Sequence, residues 1–379
     1  MKITISKSEL QNKLKLVGRF IAPNKVNQQY ENFLFELKDG ILQVSAADEG
    51  GWMKTTIDHN SDCEDVLFSV DAKTLLDGIA QLSEQPIVIS LTDKNTYYNL
   101  TIDYAGGHFS MSAGKTRIFE SSTTEVAGEQ KVYISSLNLL YGIKRTYFRA
   151  ANDELRPVMN GVYIDQSGES FSFVATDGHT LAIMEYFGKT EDDSTRSGVI
   201  LHKKLCKILV DAITPEDEKM MYVVRGNSVI FHHSNFIVSY RMIEGRFPNY
   251  RAVIPKDNKK IASIERANFM ALLKRIIVFC NKNSNLIKLT FSDDTLQGNA
   301  VDLDYSMSAD ETMPVEYSSD HISIGFNGEF FLDLISNMQS CDKIKILMAD
   351  PSRAAIITED NPTDTEQLTY IIMPMQINY

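Results

Sequence analysis

Hydrophobic residues recur at three- and four-residue spacing in six windows of the chain, which predicts six amphipathic helices with one buried face each. In the first window the stripe consists of Leu10, Leu14 and Val17. Ser6 followed by Glu9 is typical of a capping box at the start of this helix. The six windows are 6–20, 71–83, 135–149, 202–213, 265–282 and 327–339.

Segments of alternating polarity between the helices predict antiparallel strands joined by hairpins. One such segment, 33–37, is followed by Lys38-Asp39-Gly40, where the Asp-Gly pair favours a two-residue turn. Because helices and strands alternate in every part of the chain, we expect an α+β fold in which two helices per domain pack on antiparallel sheets.

The pattern occurs three times, and the copies open at Ile5, Ile134 and Ile264, which are 129 and then 130 residues apart. We expect three similar domains, 1–126, 127–255 and 256–379, with boundaries in the polar segments near 120–129 and 256–260. Three similar domains in one chain can build a curved wall. Such a wall suggests a protein that surrounds its partner.

The helix windows and the rest of the chain differ in charge. The whole chain has 38 Lys and Arg against 50 Asp and Glu, a net charge of −12. The six windows hold 15 basic and 7 acidic residues, a net of +8, whereas the remainder has a net of −20. If the helices share one side of the wall, that side attracts a polyanion and the other side repels it. The alternative is that lysine and arginine simply favour helices and solvate them.

Several classes of protein do not fit the sequence. No run of 18 apolar residues is present, and the N-terminus lacks the apolar core of a signal peptide. His232-His233 has no carboxylates at metal-ligand spacing, so neither a metal nor a cofactor is expected. Four scattered cysteines without a C-x-x-C pair indicate reduced thiols in a cytosolic protein rather than disulfides or a metal site: Cys63, Cys206, Cys280 and Cys341.

Asp177 and His179 would share one face of a strand and could suggest acid–base chemistry. However, no serine or cysteine nucleophile motif and no glycine-rich phosphate loop accompanies them. An Asp-Gly pair is more often a turn than a site. We therefore expect a protein without catalytic residues. An enzyme that uses this pair is one alternative, and a monomeric repeat scaffold that binds only protein is another.

Four stretches in a fixed order resemble a known family. They are VATDGHTLA at 174–182, EGRFPNY at 244–250 followed by Val253 and Pro255, IGFN at 324–327, and YIIMPM at 370–375. With the threefold repeat and the length, the whole chain closely resembles the bacterial sliding clamp family, the β subunits of DNA polymerase III. The resemblance implies a DNA clamp fold and a head-to-tail homodimer. Such a dimer closes into a six-domain ring around double-stranded DNA, tethers the polymerase and catalyses nothing.

The resemblance also implies a groove for clamp-binding peptides of the DNA polymerase III catalytic subunit, the clamp-loader complex, and other polymerases and repair proteins. Methionines in the C-terminal tail suit a surface that accepts several partners, although a buried C-terminal strand is the alternative. Thr180, Ala252 and Ser284 depart from the residues frequent in the family, which leaves the groove rim less basic. The matching groove positions are Met159, Thr176, Gly178, His179, Leu181, Pro248, Val253, Asn327, Phe330, Ile372, Met373, Pro374 and Met375.

The ring implied by the resemblance has its helices around the hole and its seam between the first and third domains. Contacts to DNA would be made to phosphates rather than base edges. At the seam, Phe109 and Met111 would face Val278 and Phe279. A cytoplasmic location is expected. The basic residues expected near DNA are Lys13, Arg19, Lys144, Arg145, Arg149, Lys203, Lys207, Lys274 and Arg275.

Overall fold

The computed structural model describes residues 1–379 apart from 22–26, 61–63, 121–128, 130, 167–169, 188–197, 217, 340, 362 and 378–379. Cys63 lies outside the described residues. So do Val126 and Ala127, which flank the first expected domain boundary.

Six α-helices lie in the described part of the chain, one in each predicted window. Leu10, Leu14 and Val17 are all buried on the first helix, which confirms the spacing argument. The Ser6 hydroxyl accepts the backbone N–H of Glu9 at 3.1 Å, as the capping motif predicts. The helices are α1 Lys7–Val17, α2 Ala72–Ala80, α3 Ser136–Lys144, α4 Lys203–Ala212, α5 Arg266–Ile276 and α6 Gly328–Ser336.

Strands fill most of the remaining described ranges. The first twelve are β1 Lys2–Ser6, β2 Asn32–Lys38, β3 Ile41–Ala47, β4 Gly51–Ile57, β5 Val66–Asp71, β6 Pro86–Asp93, β7 Tyr98–Tyr104, β8 Gly107–Ala113, β9 Lys131–Ser135, β10 Gly161–Asp165, β11 Ser170–Thr176 and β12 Thr180–Phe187. The others are β13 Val199–His202, β14 Lys219–Arg225, β15 Ser228–His233, β16 Phe236–Arg241, β17 Lys260–Glu265, β18 Leu286–Ser292, β19 Thr295–Asp302, β20 Met307–Pro314, β21 Ile322–Asn327, β22 Lys343–Met348, β23 Ala355–Glu359 and β24 Glu366–Ile372.

The predicted hairpin after β2 is present. Asp39 and Gly40 have φ values of 51° and 76°, so both central residues of the turn are left-handed. This is the type I′ geometry, whose twist matches that of paired strands and which Asp-Gly favours. Lys38 consequently stands opposite Ile41 at the start of the β2–β3 ladder.

The threefold repeat is visible as pairs of elements in which a strand runs directly into a helix. Each copy opens with one such pair: β1 with α1, β9 with α3, and β17 with α5. A second pair follows in each copy: β5 with α2, β13 with α4, and β21 with α6. The three copies therefore share one order of elements, as the period near 130 residues predicts.

Contacts divide the chain into two compact units, which do not coincide with the three copies. The first unit is Met1–Ser136 with Glu216–Met242, and the second is Leu137–Pro215 with Ile243–Tyr379. The reason is that each unit contains an eight-stranded sheet built from two copies. The expected domain boundaries stay a prediction.

The first unit contains two antiparallel sheets. The four-stranded sheet has the order β1-β6-β7-β8, and the eight-stranded sheet has the order β5-β2-β3-β4-β16-β15-β14-β9. Strands β4 and β16 join the first copy to the second, with Met53 opposite Val238. Helix α1 packs against α2 and against β3 and β4, so the apolar stripe of α1 covers the sheet.

The second unit repeats this plan. Its four-stranded sheet has the order β20-β19-β18-β21, and its eight-stranded sheet has the order β13-β10-β11-β12-β24-β23-β22-β17. Strands β12 and β24 join the second copy to the third, from Thr180 opposite Ile372 to Tyr186 opposite Glu366. This ladder brings the last strand of the chain beside the turn that precedes β12.

Candidate functional site

The turn between β11 and β12 has a backbone conformation held by side-chain hydrogen bonds, and it carries the candidate site residue His179. The Asp177 carboxylate accepts the backbone N–H of His179 at 2.9 Å and that of Thr180 at 2.7 Å. Gly178 has a φ of +90°, a conformation that side-chain-bearing residues rarely adopt. These bonds fix the backbone while the His179 side chain remains exposed to solvent.

The Asp177 carboxylate also forms an ion pair with Arg149. Burial opposes ionisation of Asp177, but the charge of Arg149 and the N–H groups of Thr180 and His179 outweigh it and hold the pKa of the carboxyl below its usual value. Arg149 donates directly to Asp177. A carboxylate bound in this way does not act as a general base toward His179, so the geometry gives no support to acid–base catalysis by this pair.

Side chains on one face of the β12–β24 ladder form the apolar wall of the site. Leu181 stands opposite Ile371, and Thr180 stands opposite Ile372. Because successive strand residues point to opposite faces, Leu181 shares its face with Ile371, and the predicted groove residue Ile372 points the other way. The buried cluster that contains Leu181 confirms this parity: its other members are Val174, Ile183, Ile200, Phe247, Tyr250, Ala354 and Ile371.

Beyond β24 the chain is held by two backbone hydrogen bonds. The N–H of Met373 donates to the carbonyl of His179 at 2.9 Å, and the N–H of Met375 donates to the carbonyl of Gly325 at 2.7 Å. The tail thus runs from the start of β12 to β21. The Met373 side chain is 50% exposed, so it offers apolar surface at the edge of the wall rather than filling the core.

The first turn of α6 supplies an aromatic side chain to the same region. Asn327 is the N-cap of α6: its side chain accepts the N–H of Phe330 at 3.0 Å and donates to the carbonyl of Ser284 at 3.2 Å. The rings of Phe330 and His179 lie 6.2 Å apart. The guanidinium of Arg149 lies 5.0 Å from the centre of the Phe330 ring.

The remaining predicted groove residues differ in exposure. Met159 and Thr176 are buried, Pro248 is exposed, and Val253 is 60% exposed. Met159 ends the 3₁₀ turn Pro157–Met159. The buried members shape the wall, whereas Pro248, Val253 and the half-exposed Met373 are available to a ligand.

A cleft of about 570 Å³ lies behind the loop that carries Pro248. It is lined by Tyr163, Asp165, Gly198 and residues 245–251, which include Pro248 but no other predicted groove residue. The Tyr250 hydroxyl donates to the buried Asp165 carboxylate at 2.7 Å. Burial and this hydrogen bond raise the pKa of Tyr250. The hydrogen bond between Tyr250 and Asp165 therefore anchors this loop to β10.

Arg149 requires a correction to the expected DNA-binding set. It is only 6% exposed, and its guanidinium binds both Asp177 and Asp333, the second at 2.7 Å. A guanidinium that is bound by two carboxylates and lies against Phe330 is poorly placed to contact a phosphate in solvent. The sequence identified its charge but not its partner, because Asp333 is 184 residues away along the chain.

The other expected DNA-binding residues fall into two groups. Lys144, Lys207 and Lys274 are exposed on α3, α4 and α5. The others contact groups within the chain: Lys13 with Glu9, Arg19 with the Lys15 and Leu16 carbonyls, Arg145 with Glu366, Lys203 with the Ala150 carbonyl, and Arg275 with Glu311. The exposed lysines are consequently the strongest candidates for contact with a polyanion.

The residues expected at the seam lie on or beside outer strands of the four-stranded sheets. Phe109 and Met111 are half-buried on β8, the outer strand of its sheet. Near β20, the outer strand of the other sheet, four apolar side chains between 40% and 76% exposed are present: Val278, Phe279, Leu303 and Tyr305. Sequence reasoning missed Leu303 and Tyr305, which lie in the turn between β19 and β20.

The described cysteines are free thiols. Burial raises the pKa of the Cys206 thiol to about 12 and that of Cys341 to about 11, so neither forms a reactive thiolate readily. In the ranges given above, no three His, Cys, Asp or Glu side chains are grouped so that they could hold a metal ion. No helix in those ranges has the length and apolarity needed to cross a membrane.

Relatives of this chain cover its whole length. It is 23% identical to the β sliding clamp of Haemophilus influenzae over 377 residues and 26% identical to that of Rickettsia felis over 391 residues, with full coverage of both chains in each case. The crystal structure of a DNA polymerase sliding clamp from Pseudomonas aeruginosa has a TM-score of 0.90 at 22% identity, again with full coverage of both chains. A DnaN sliding clamp from the same organism, bound to griselimycin, gives 0.91 at 22% identity and full coverage of both chains.

Family models match the chain in three consecutive segments. The N-terminal domain of the DNA polymerase III beta subunit matches residues 1–116, the central domain matches 134–249, and the C-terminal domain matches 251–376. The order of the three models is the order of the three copies found in the sequence. The chain therefore belongs to the DNA polymerase III β-subunit family, the bacterial DNA sliding clamps.

Proposed function

We propose that two copies of this chain close head to tail around double-stranded DNA, and that the surface around His179 receives clamp-binding peptides. The chain is a non-catalytic DNA sliding clamp, a processivity factor of chromosomal replication. The observation that carries the finer proposal is the meeting of the 177–180 turn, the C-terminal tail and the first turn of α6 in one exposed, partly apolar surface.

The groove that we propose has an apolar wall and an exposed apolar rim. Leu181 and Ile371 form the wall, and Met373 and Val253 offer exposed apolar surface beside it. Methionine adapts its shape to different partners, which suits a surface that receives several peptides. We therefore retain the predicted groove set and replace Ile372 with Ile371, because Ile371 shares the face of Leu181.

The proposed partners at this groove are proteins that carry a clamp-binding motif. They include the DNA polymerase III catalytic subunit, the clamp-loader complex, and other polymerases and repair proteins. The structure of the DnaN sliding clamp from Pseudomonas aeruginosa bound to griselimycin supports ligand binding by this family. Competition between griselimycin and a polymerase-derived motif peptide for this chain tests whether both use the surface around His179.

Ring closure is supported by the strand order of the sheets. Each eight-stranded sheet combines four strands from one copy with four strands from the next copy. The sheets that end in β8 and β20 have only four strands each. An outer strand presents unpaired backbone groups that another strand can satisfy. Pairing β8 of one molecule with β20 of another would form a third eight-stranded sheet of the same kind. Repeating this contact closes a dimer by two-fold symmetry.

The seam would also bury apolar side chains. Phe109 and Met111 accompany β8, and Val278, Phe279, Leu303 and Tyr305 accompany β20. Burial of such side chains favours association in proportion to the apolar area removed from water. Sedimentation at micromolar concentration tests the proposal: a mass twice that of the chain supports the ring, and a monomer supports the scaffold alternative.

The proposed DNA contacts are sequence-independent. Lys144, Lys207 and Lys274 supply exposed positive charge on three helices, while the chain as a whole is acidic. Phosphate contacts of this kind weaken steeply as salt is added, because counterions compete for the phosphates. Such contacts hold the ring near DNA without a fixed register, which sliding requires.

The domain limits and the location complete the proposal. We propose domains 1–126, 127–255 and 256–379, which follow the copies rather than the two compact units. The family models support this division because each begins and ends within one proposed domain, apart from the start of the third model at residue 251.

A clamp that serves chromosomal replication in bacteria works in the cytoplasm, and we propose that location.

A further inference from the structure

Arg149 is an enclosed charged side chain near the proposed groove. It lies in the 3₁₀ turn Tyr147–Arg149 and is 6% exposed. One terminal nitrogen of its guanidinium donates to Asp333 at 2.7 Å, and the other donates to Asp177. Its face lies 5.0 Å from the centre of the Phe330 ring. Three side chains thus contact one cation: Asp177, Asp333 and Phe330.

The two carboxylates belong to different parts of the groove. Asp177 fixes the turn that carries His179, through its bonds to the N–H groups of His179 and Thr180. Asp333 lies on α6, three residues after Phe330 and therefore on the same side of the helix. Arg149 consequently links the segment that positions His179 to the helix that positions Phe330.

The linkage depends on the shape of arginine as well as its charge. A guanidinium is planar and presents donors in a fixed fork, so it can bind two carboxylates in set directions and stack on an aromatic ring at the same time. A lysine ammonium is a compact point charge and cannot reproduce all three contacts. Replacing Arg149 with an uncharged residue should also disturb the site. The Asp177 side chain is only 18% exposed, so its carboxylate would be left partly buried without the cation that balances its charge.

We propose that Arg149 is a positioning residue of the peptide groove, which fixes the separation of His179 and Phe330 by clamping the 177–180 turn to α6. This inference rests on the proposed function, because it assumes that peptides bind there. It assigns to Arg149 a role distinct from the DNA contact that its position in a helical window suggests. A partner peptide then meets His179 and Phe330 already 6.2 Å apart, so binding does not have to order them.

The test measures the affinity of a fluorescent peptide carrying the clamp-binding motif of a DNA polymerase III catalytic subunit, by fluorescence anisotropy with the full-length protein. We expect Arg149→Met to weaken binding about tenfold to a hundredfold, the range that corresponds to loss of a charge-assisted hydrogen bond. Arg149→Lys should lie between wild type and Arg149→Met. Asp333→Asn should cause a partial loss, and the double variant Arg149→Met with Asp333→Asn should resemble Arg149→Met alone.

The matched control is Arg225→Met, which removes another arginine–carboxylate pair, that with Glu129, in the other compact unit. We expect it to leave peptide affinity unchanged. Thermal unfolding and sedimentation of every variant identify any that fail to fold, and Asp333→Asn provides a milder variant because the Asp333 side chain is 47% exposed. Wild-type affinity in Arg149→Met, or losses that add independently in the double variant, would overturn the inference.

The proposed groove is tested separately in the same assay. If the wild-type protein does not bind the peptide, or if a chain that ends at Ile372 binds it as well as wild type, the groove assignment fails. If wild type binds, the shortened chain does not, and Arg149→Met binds normally, only the positioning role of Arg149 fails.

Discussion

Removal of the C-terminal tail separates peptide binding from folding. A chain that ends at Ile372 loses the hydrogen bonds from Met373 to His179 and from Met375 to Gly325. Each such bond contributes roughly 0.5–1.5 kcal/mol, so the free energy of unfolding should fall by about 1–3 kcal/mol. The β12–β24 ladder remains complete because it ends at Ile372. We therefore expect a folded protein.

The effect on peptide binding should be larger than the effect on folding. Met373 is 50% exposed, so about half of its surface is available to a ligand. Truncating an anchor of a peptide contact costs roughly 1–3 kcal/mol, and the deletion removes two methionines at once. The dissociation constant should rise at least about thirtyfold, which corresponds to about 2 kcal/mol.

The assay combines anisotropy of a labelled clamp-motif peptide with sedimentation and thermal unfolding. A chain that ends at Met375 is the matched control, because it keeps both backbone hydrogen bonds and both methionines. We expect the control to bind like the full-length chain and both shortened chains to remain dimers. Undiminished peptide affinity in the chain that ends at Ile372 would refute the assignment and return the tail to a purely structural role.

Three further predictions concern the seam, the turn and the helices. Phe109→Asp should give folded monomers by sedimentation, because it places a charge among apolar seam residues, whereas Ser110→Asp on the opposite face of β8 should not; a stable dimer from the first variant would contradict the seam. The stability that Asp177 contributes should be present above the pKa of an unfolded aspartate, about 3.9, and should be lost as the pH falls through the lower pKa of the folded state. The difference in melting temperature between wild type and Asp177→Asn should therefore be constant from pH 7 to pH 5 and shrink below pH 4, and a difference that grows on acidification would contradict the ion pair. Replacing Lys144, Lys207 and Lys274 with glutamine should weaken the affinity for short linear double-stranded DNA and make that affinity less dependent on salt. Melting temperature is the control, and an unchanged salt dependence of the affinity would contradict the proposed contacts.

The sequence was sufficient for the repeated elements because their signals are local. A stripe such as Leu10, Leu14 and Val17 predicts a helix with one buried face, and an Asp-Gly pair predicts a turn with two left-handed residues. The threefold period then follows from the same local signals. These features could be predicted without knowing which elements meet.

Features that depend on distant partners could not be predicted in this way. The role of Arg149 depends on Asp333, and a positive charge in a helical window carries no sign that its partner lies elsewhere in the fold. The exchange of Ile372 for Ile371 depends on the register of the β12–β24 ladder. Alternation along β24 shows that the two isoleucines differ in face, but only the pairing with Leu181 shows which one shares the face of Leu181.

Retention on circular DNA tests the central claim most directly. A ring around DNA is held by topology, so the wild-type protein, loaded onto nicked circular DNA by a clamp loader, should stay bound through gel filtration at a salt concentration that disrupts phosphate contacts. It should then be released when a restriction enzyme makes the DNA linear, because the ring slides off the ends. Equal retention on circular and linear DNA, or release from circular DNA at that salt concentration, would contradict the account.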